Sequence, residues 1–173
     1  MIQPFKIFTL TFILFYSFIS SFGQESKKTN FQRHLTVADI NKICNSIDNN
    51  KNLVEGIREG ETLDKKGGFD TYYLQNRINA TLYRITDNMS IDRYFNTIFY
   101  YYHNRVIKAI ATVSDMDMPK KKYYATYYFN NNKLIQKIGE NLNSSNYKDI
   151  LKRGLDFQTQ FYYDMRRIKK ANK

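Results

Sequence analysis

Phe99-Tyr100-Tyr101-Tyr102-His103-Asn104-Arg105-Val106 reads as an aromatic run, two turn residues ending in Asn, a base and an aliphatic. A tight β-hairpin asks for this order. Asn tolerates the left-handed backbone that two-residue turns impose, and aromatic and β-branched residues suit a pleated, half-buried strand. The same order stands 28 residues earlier as Thr71-Tyr72-Tyr73-Leu74-Gln75-Asn76-Arg77-Ile78, and 28 residues later as Tyr127-Tyr128-Phe129-Asn130-Asn131-Asn132-Lys133-Leu134. The spacing predicts three 28-residue hairpin repeats in one register, with turn asparagines at Asn76, Asn104 and Asn132.

Extended outward, the three cassettes pair residues 69–74 with 77–86, 93–102 with 105–114, and 122–130 with 133–139. Asp87-Asn88-Met89-Ser90 and residues 115–120 read as turn-like connections. A short strand over 53–59, followed by a charged loop over 60–68, precedes them. A two-residue turn makes Tyr73 and Ile78, Tyr101 and Val106, and Phe129 and Leu134 direct cross-strand neighbours. Alternation then places Leu82, Ile110 and Ile138 on their face, and Tyr72, Ile98, Tyr100, Ile107, Ala109 and Ala111 on the other. The second face is too apolar to stand in water, so a second layer, or a partner, must lie there, and the last segment of the chain is the candidate cover.

Helices flank the strands. Val37, Ile40, Cys44 and Ile47 recur at steps of three and four behind Thr36, an N-cap, and Leu35, a staple, which predicts a helix over 37–48. After Asn143-Ser144-Ser145, residues Tyr147, Ile150, Leu151, Leu155, Gln158, Phe161, Tyr162, Met165 and Ile168 follow helical spacing to the end of the chain. Gly154 interrupts that pattern at a propensity cost of about 1 kcal/mol relative to Ala. The fold class is therefore α+β: an antiparallel meander of about six or seven strands between an N-terminal and a C-terminal α-helix.

The first 23 residues have the layout of a secretory signal: Lys6, an apolar run over 7–19, then small residues up to Gly23. That run falls short of the roughly 20 apolar residues of a membrane span. Cleavage near Gly23 leaves a flexible leader over 24–35 and a single domain over 36–173, secreted or periplasmic. Cys44 is the sole cysteine, so stability rests on packing and no intrachain disulfide forms. The net charge of +11 favours an anionic partner. With export, that partner is the envelope surface or a protein rather than nucleic acid.

No chemistry-bearing motif accompanies the architecture. His34 and His103 lack spaced ligand partners, so neither a metal nor a cofactor is expected. The candidate ligand or partner surface is the Tyr-rich sheet, through Tyr72 and Tyr100, with a rim of Arg77, Arg105 and Lys133. The basic end of the last helix, Arg166, Arg167, Lys169, Lys170 and Lys173, adds a second candidate surface. Together these describe an exported, non-catalytic binding module. The alternative is a small exported hydrolase whose acids come from Glu59, Glu61, Asp115 or Asp117.

Overall fold

The computed structural model of the protein describes residues 34–61, 67–115, 122–140 and 146–171. The signal over 1–23, the leader as far as residue 33, Asp117, Asn143-Ser144-Ser145 and Lys173 lie outside the described residues. Helix α1 is Val37–Asp48. Strands β1 (Leu53–Glu61), β2 (Gly68–Asn76), β3 (Leu82–Ser90), β4 (Arg93–Tyr102), β5 (Arg105–Asp115), β6 (Lys122–Asn130) and β7 (Lys133–Gly139) follow, and α2 is Tyr147–Ala171. The seven strands form one antiparallel sheet in sequence order.

The hairpin signal holds in two places and fails in one. His103 and Asn104 (φ 48° and 57°) and Asn131 and Asn132 (φ 51° and 61°) form two-residue turns with the left-handed backbone at both positions. Tyr101 then faces Val106, and Phe129 faces Leu134. The β2–β3 connection is instead a five-residue loop over 77–81, and Tyr73 faces Ile85. Here Asn76 acts through its side chain: Oδ1 accepts from the Ile78 N–H at 2.8 Å and the Asn79 N–H at 3.3 Å. Asn has two turn roles, a left-handed backbone or a side-chain acceptor, and one letter does not say which. Ile78, expected opposite Tyr73, is 96% exposed.

Each of these hairpins also carries a β-bulge, at Tyr83, Ile107 and Ile135, where the register shifts by one residue. A bulge puts two consecutive residues on the same side and so reverses the alternation beyond it. That is why Ala109 and Ala111 join the face of Tyr73, Tyr101 and Phe129, while Ile107 and Ile110 join the other. A strict period of two places Ala109, Ala111 and Ile110 on the wrong sides, while Ile107, ahead of the reversal, stands on the expected one. The turn-like connection expected at Asp87-Asn88-Met89-Ser90 is corrected to strand. These residues complete β3, because their side chains find lateral partners in neighbouring strands instead of closing a turn.

Both faces are covered, by different helices. The Tyr73 face packs Ile85, Phe99, Tyr101, Val106 and Tyr127 against Ile150, Leu151 and Phe161 of α2. At Gly154 the helix comes so close that an added Cβ would stand 2.8 Å from Phe99 Cδ1 and 3.0 Å from Val106 Cγ2. Tyr101, fully buried, donates its hydroxyl to the Gly154 carbonyl at 2.8 Å. Phe161 stacks on Tyr73 with ring centroids 5.6 Å apart. On the opposite face, where the sequence pattern offers the last helix as cover, Ile40, Cys44 and Ile47 of α1 pack on Tyr100, Ile107 and Tyr128 instead. Thr36 and Asp39 close a reciprocal capping box at its start. Burial pushes the Cys44 thiol up to about 12, so it behaves as a small hydrophobe.

Substituting Gly154→Ala separates propensity from packing. An exposed helix gains about 1 kcal/mol from this change, whereas overpacking a filled core costs about 1–3 kcal/mol. Chemical denaturation is expected to show net destabilisation. A more stable Ala variant would mean that Phe99 and Val106 do not confine the helix as described.

Candidate functional site

Helix α1 shares one apolar cluster with Leu53, Leu74, Tyr83, Tyr100, Ile107 and Tyr128, toward one end of strands β1 to β6, and with Ile98 and Ile110 nearer the middle of β4 and β5. Its far end is tied down by Asp48, which accepts from the Tyr100 hydroxyl at 3.0 Å and Arg84 at 2.6 Å. Midway, Asn41 Oδ1 accepts from Lys108 Nζ at 2.8 Å and the Tyr128 hydroxyl at 3.2 Å. A helix is about 10–12 Å across, while strands of this length run to roughly 30 Å. Among the described residues, no helix therefore covers the other end of this face.

That open end is laid out in registered rows. Glu59 faces Asp70, Asp70 faces Asn88, Asn88 faces Asn96, Asn96 faces Thr112, and Thr112 faces Tyr124. The next row outward includes Ser90, Tyr94, Ser114 and Lys122. Within the first row Asn96 Nδ2 donates to Asn88 Oδ1 at 2.5 Å, and Asn88 Nδ2 donates to Asp70 Oδ2 at 3.0 Å. The hydrogen bond to Asp70 also raises the Tyr72 phenol above its ordinary value, since the neutral hydroxyl is the donor. All of these residues except Tyr72 and Tyr124 line an open hollow of about 650 Å³. Tyr94 and Tyr124, 52% and 56% exposed, present their rings beside it.

The residues singled out in the sequence divide among several places. Tyr72 belongs to this open end. Tyr100 does not: it is 6% exposed beneath α1, and its hydroxyl serves Asp48. Arg77, Arg105 and Lys133 are exposed at the opposite end of the sheet, where Arg105 bonds the Asn131 side chain of the neighbouring turn. Arg166, Arg167, Lys169 and Lys170 are exposed on the last turns of α2, with Arg167 stacked over the Tyr163 ring. Asp115 pairs with Arg93 at 3.0 Å on β5, four strand spacings or about 19 Å from Glu59 on β1. These two cannot flank one scissile bond, which takes carboxylates about 5–10 Å apart.

Asp70, Asn88, Asn96, Thr112, Tyr94 and Tyr124 were missed as a set. The signal was present, because Asp and Asn are disfavoured in strands and here occupy three adjacent ones. It becomes visible only once the register is known. Among the described residues no group of three or more His, Cys, Asp or Glu could hold a metal ion. None of the described helices is long and apolar enough to cross a membrane. A scan against protein-family models finds no match, and comparisons with curated proteins and with solved structures find none either.

Asp87 is the other polar feature of note, and it is structural. It is 3% exposed under α2, accepts from Thr71 Oγ1 at 3.0 Å and pairs with Arg153. Burial raises its pKa even though Arg153 opposes the shift. Replacing Arg153 by Leu leaves a buried carboxylate without its cation and should cost about 3–5 kcal/mol near neutral pH. Because the folded pKa is raised above the unfolded one, the protonated native form is favoured at low pH, and this contribution is lost as pH rises through the folded pKa. Denaturation across pH should therefore show the deficit of Arg153→Leu shrinking on acidification. A deficit independent of pH would mean that Asp87 is not the group left unpaired.

Proposed function

We propose that this protein is a non-catalytic binding module, exported by its first 23 residues, that takes a ligand in the hollow on the α1 face and meets an anionic envelope surface through the basic end of α2. The observation that carries the first part is the unequal cover of that face. The sheet spends strand propensity on an Asp–Asn–Asn row in β2, β3 and β4, and the row is tied together by its own hydrogen bonds while remaining open to solvent. Packing alone asks for nothing of the kind. A preformed concave surface with a few fixed polar groups is the usual form of a binding site.

The charge on α2 supports the second part. Ile150, Leu151, Gly154, Gln158 and Phe161 are buried against the sheet, whereas Arg166, Arg167, Lys169 and Lys170 all face solvent. The first half of the helix is thus committed to the core, and its basic end is free to meet anions. The hydrolase alternative draws less support, since Glu59 and Glu61 are exposed on edge strand β1 and Asp115 is far from both.

Sedimentation with vesicles containing phosphatidylglycerol tests the envelope contact. Exposed cations near anionic headgroups contribute about 1 kcal/mol apiece and are screened by salt. Association at low ionic strength is expected, fading as salt is added, and changing Arg166, Arg167, Lys169 and Lys170 to Gln should remove it with almost no change in melting temperature. Absent binding at low salt, or equal binding by the Gln variant, would contradict this contact.

A further inference from the structure

We infer that the ligand of the hollow is a neutral carbohydrate, an oligosaccharide laid along the Asp70–Asn88–Asn96–Thr112 row; this rests on the hollow being a binding site, as proposed above. The first argument is charge. The chain carries +11 overall, yet the described residues lining the hollow include two carboxylates, Glu59 and Asp70, against one ammonium, Lys122. The carboxylates stand on β1 and β2 and the ammonium on β6, so the central strands β3, β4 and β5 offer only neutral groups. A basic protein that binds an anion in a groove concentrates its bases there. Among the described residues, most of the exposed bases singled out above stand on α2 and at the turn end of the sheet, and the lining holds Lys122.

The second argument is hydrogen-bonding chemistry. Asn88 and Asn96 each donate one amide hydrogen along the row, which fixes the plane of both amides and leaves each a second N–H. Thr112, Ser90 and Ser114 add hydroxyls that donate and accept. Donors and acceptors thus alternate along neighbouring strands at about 4.8 Å spacing. A chain of sugar hydroxyls, each both donor and acceptor, satisfies such a row. A peptide would instead look for an open sheet edge or apolar side-chain pockets, and the floor of the hollow lies in the paired centre of the sheet.

The third argument is the rings. Tyr94 and Tyr124 are about half exposed on the hollow's own face, on β4 and β6. A flat, rigid aromatic face with a polar tip suits the apolar C–H face of a pyranose. From β2 to β5 the row covers three strand spacings, about 14 Å, so it suits linked rings better than a single sugar.

Calorimetric titration of the full chain with neutral gluco-, manno- and chito-oligosaccharides, beside an oligolysine and a polygalacturonate, tests this assignment. At least one neutral oligosaccharide should bind, with an affinity that about 0.5 M salt changes little. Asn96→Ala should weaken it about tenfold or more. Tyr94→Ala, at an exposed position where the fold has least to lose, should also weaken it, with the melting temperature kept. The assignment is overturned if no neutral oligosaccharide binds, or if binding ignores both variants. Binding of oligolysine alone, weakened by Asn96→Ala, would also overturn it while leaving the hollow a binding site.

Discussion

At Gly154 the long helix has no side chain, and the ring of Phe99 and the methyls of Val106 occupy the space that a Cβ would need. The Tyr101 hydroxyl, with no water available to it, bonds the carbonyl at the same residue. This contact sets both the height and the position of α2 on the sheet. From there Arg153 reaches Asp87 on β3, Phe157 leans on Phe99, and Phe161 stacks over Tyr73 on β2. The helix continues past Tyr73 to β1, where Met165, Ile168 and Ala171 lie beside Gly56, Ile57 and Arg58. Its basic residues therefore come out at the sheet margin and stay hydrated without burying a single cation unpaired, which would cost several kcal/mol.

The bulges at Tyr83, Ile107 and Ile135 do comparable work on the other face. Without the bulge at Ile107, Ile110 would stay on the side of Val106, and Ala109 and Ala111 on the side of Ile107. With it Val106, Ala109 and Ala111 meet α2, while Ile107 and Ile110 meet α1. A short helix that crosses the strands toward the bulged end leaves the opposite end of the same face without a helix among the described residues. There the sheet switches to Asp, Asn, Thr, Ser and Tyr, and the polar hollow results from the same geometry that places α1.

Much of the architecture could be read in advance, and the reasons are local. The limits of α1, β4, β6 and β7 follow from Thr36 as cap, from left-handed turns at His103-Asn104 and Asn131-Asn132, and from unbroken aromatic runs. What could not be read is what depends on partners distant in sequence. Asn76 resembles the other turn asparagines but uses its side chain. Gly154 reads as a weak spot in a helix until Phe99 stands opposite it. Tyr100 reads as a surface aromatic until α1 covers it. The candidate site was legible only in Tyr72, since the row through Asp70, Asn88 and Asn96 exists in the register and not in any one segment.

The central claim is that the open end of the α1 face is where ligand meets protein. The direct measurement is nuclear magnetic resonance of the side-chain amides during titration with a bound neutral oligosaccharide. Asn88 and Asn96 should shift first and most, with Asn41 and Asn131, on α1 and in the far turn, unmoved. Shifts confined to the end of α2, or spread equally over all four amides, would contradict the account.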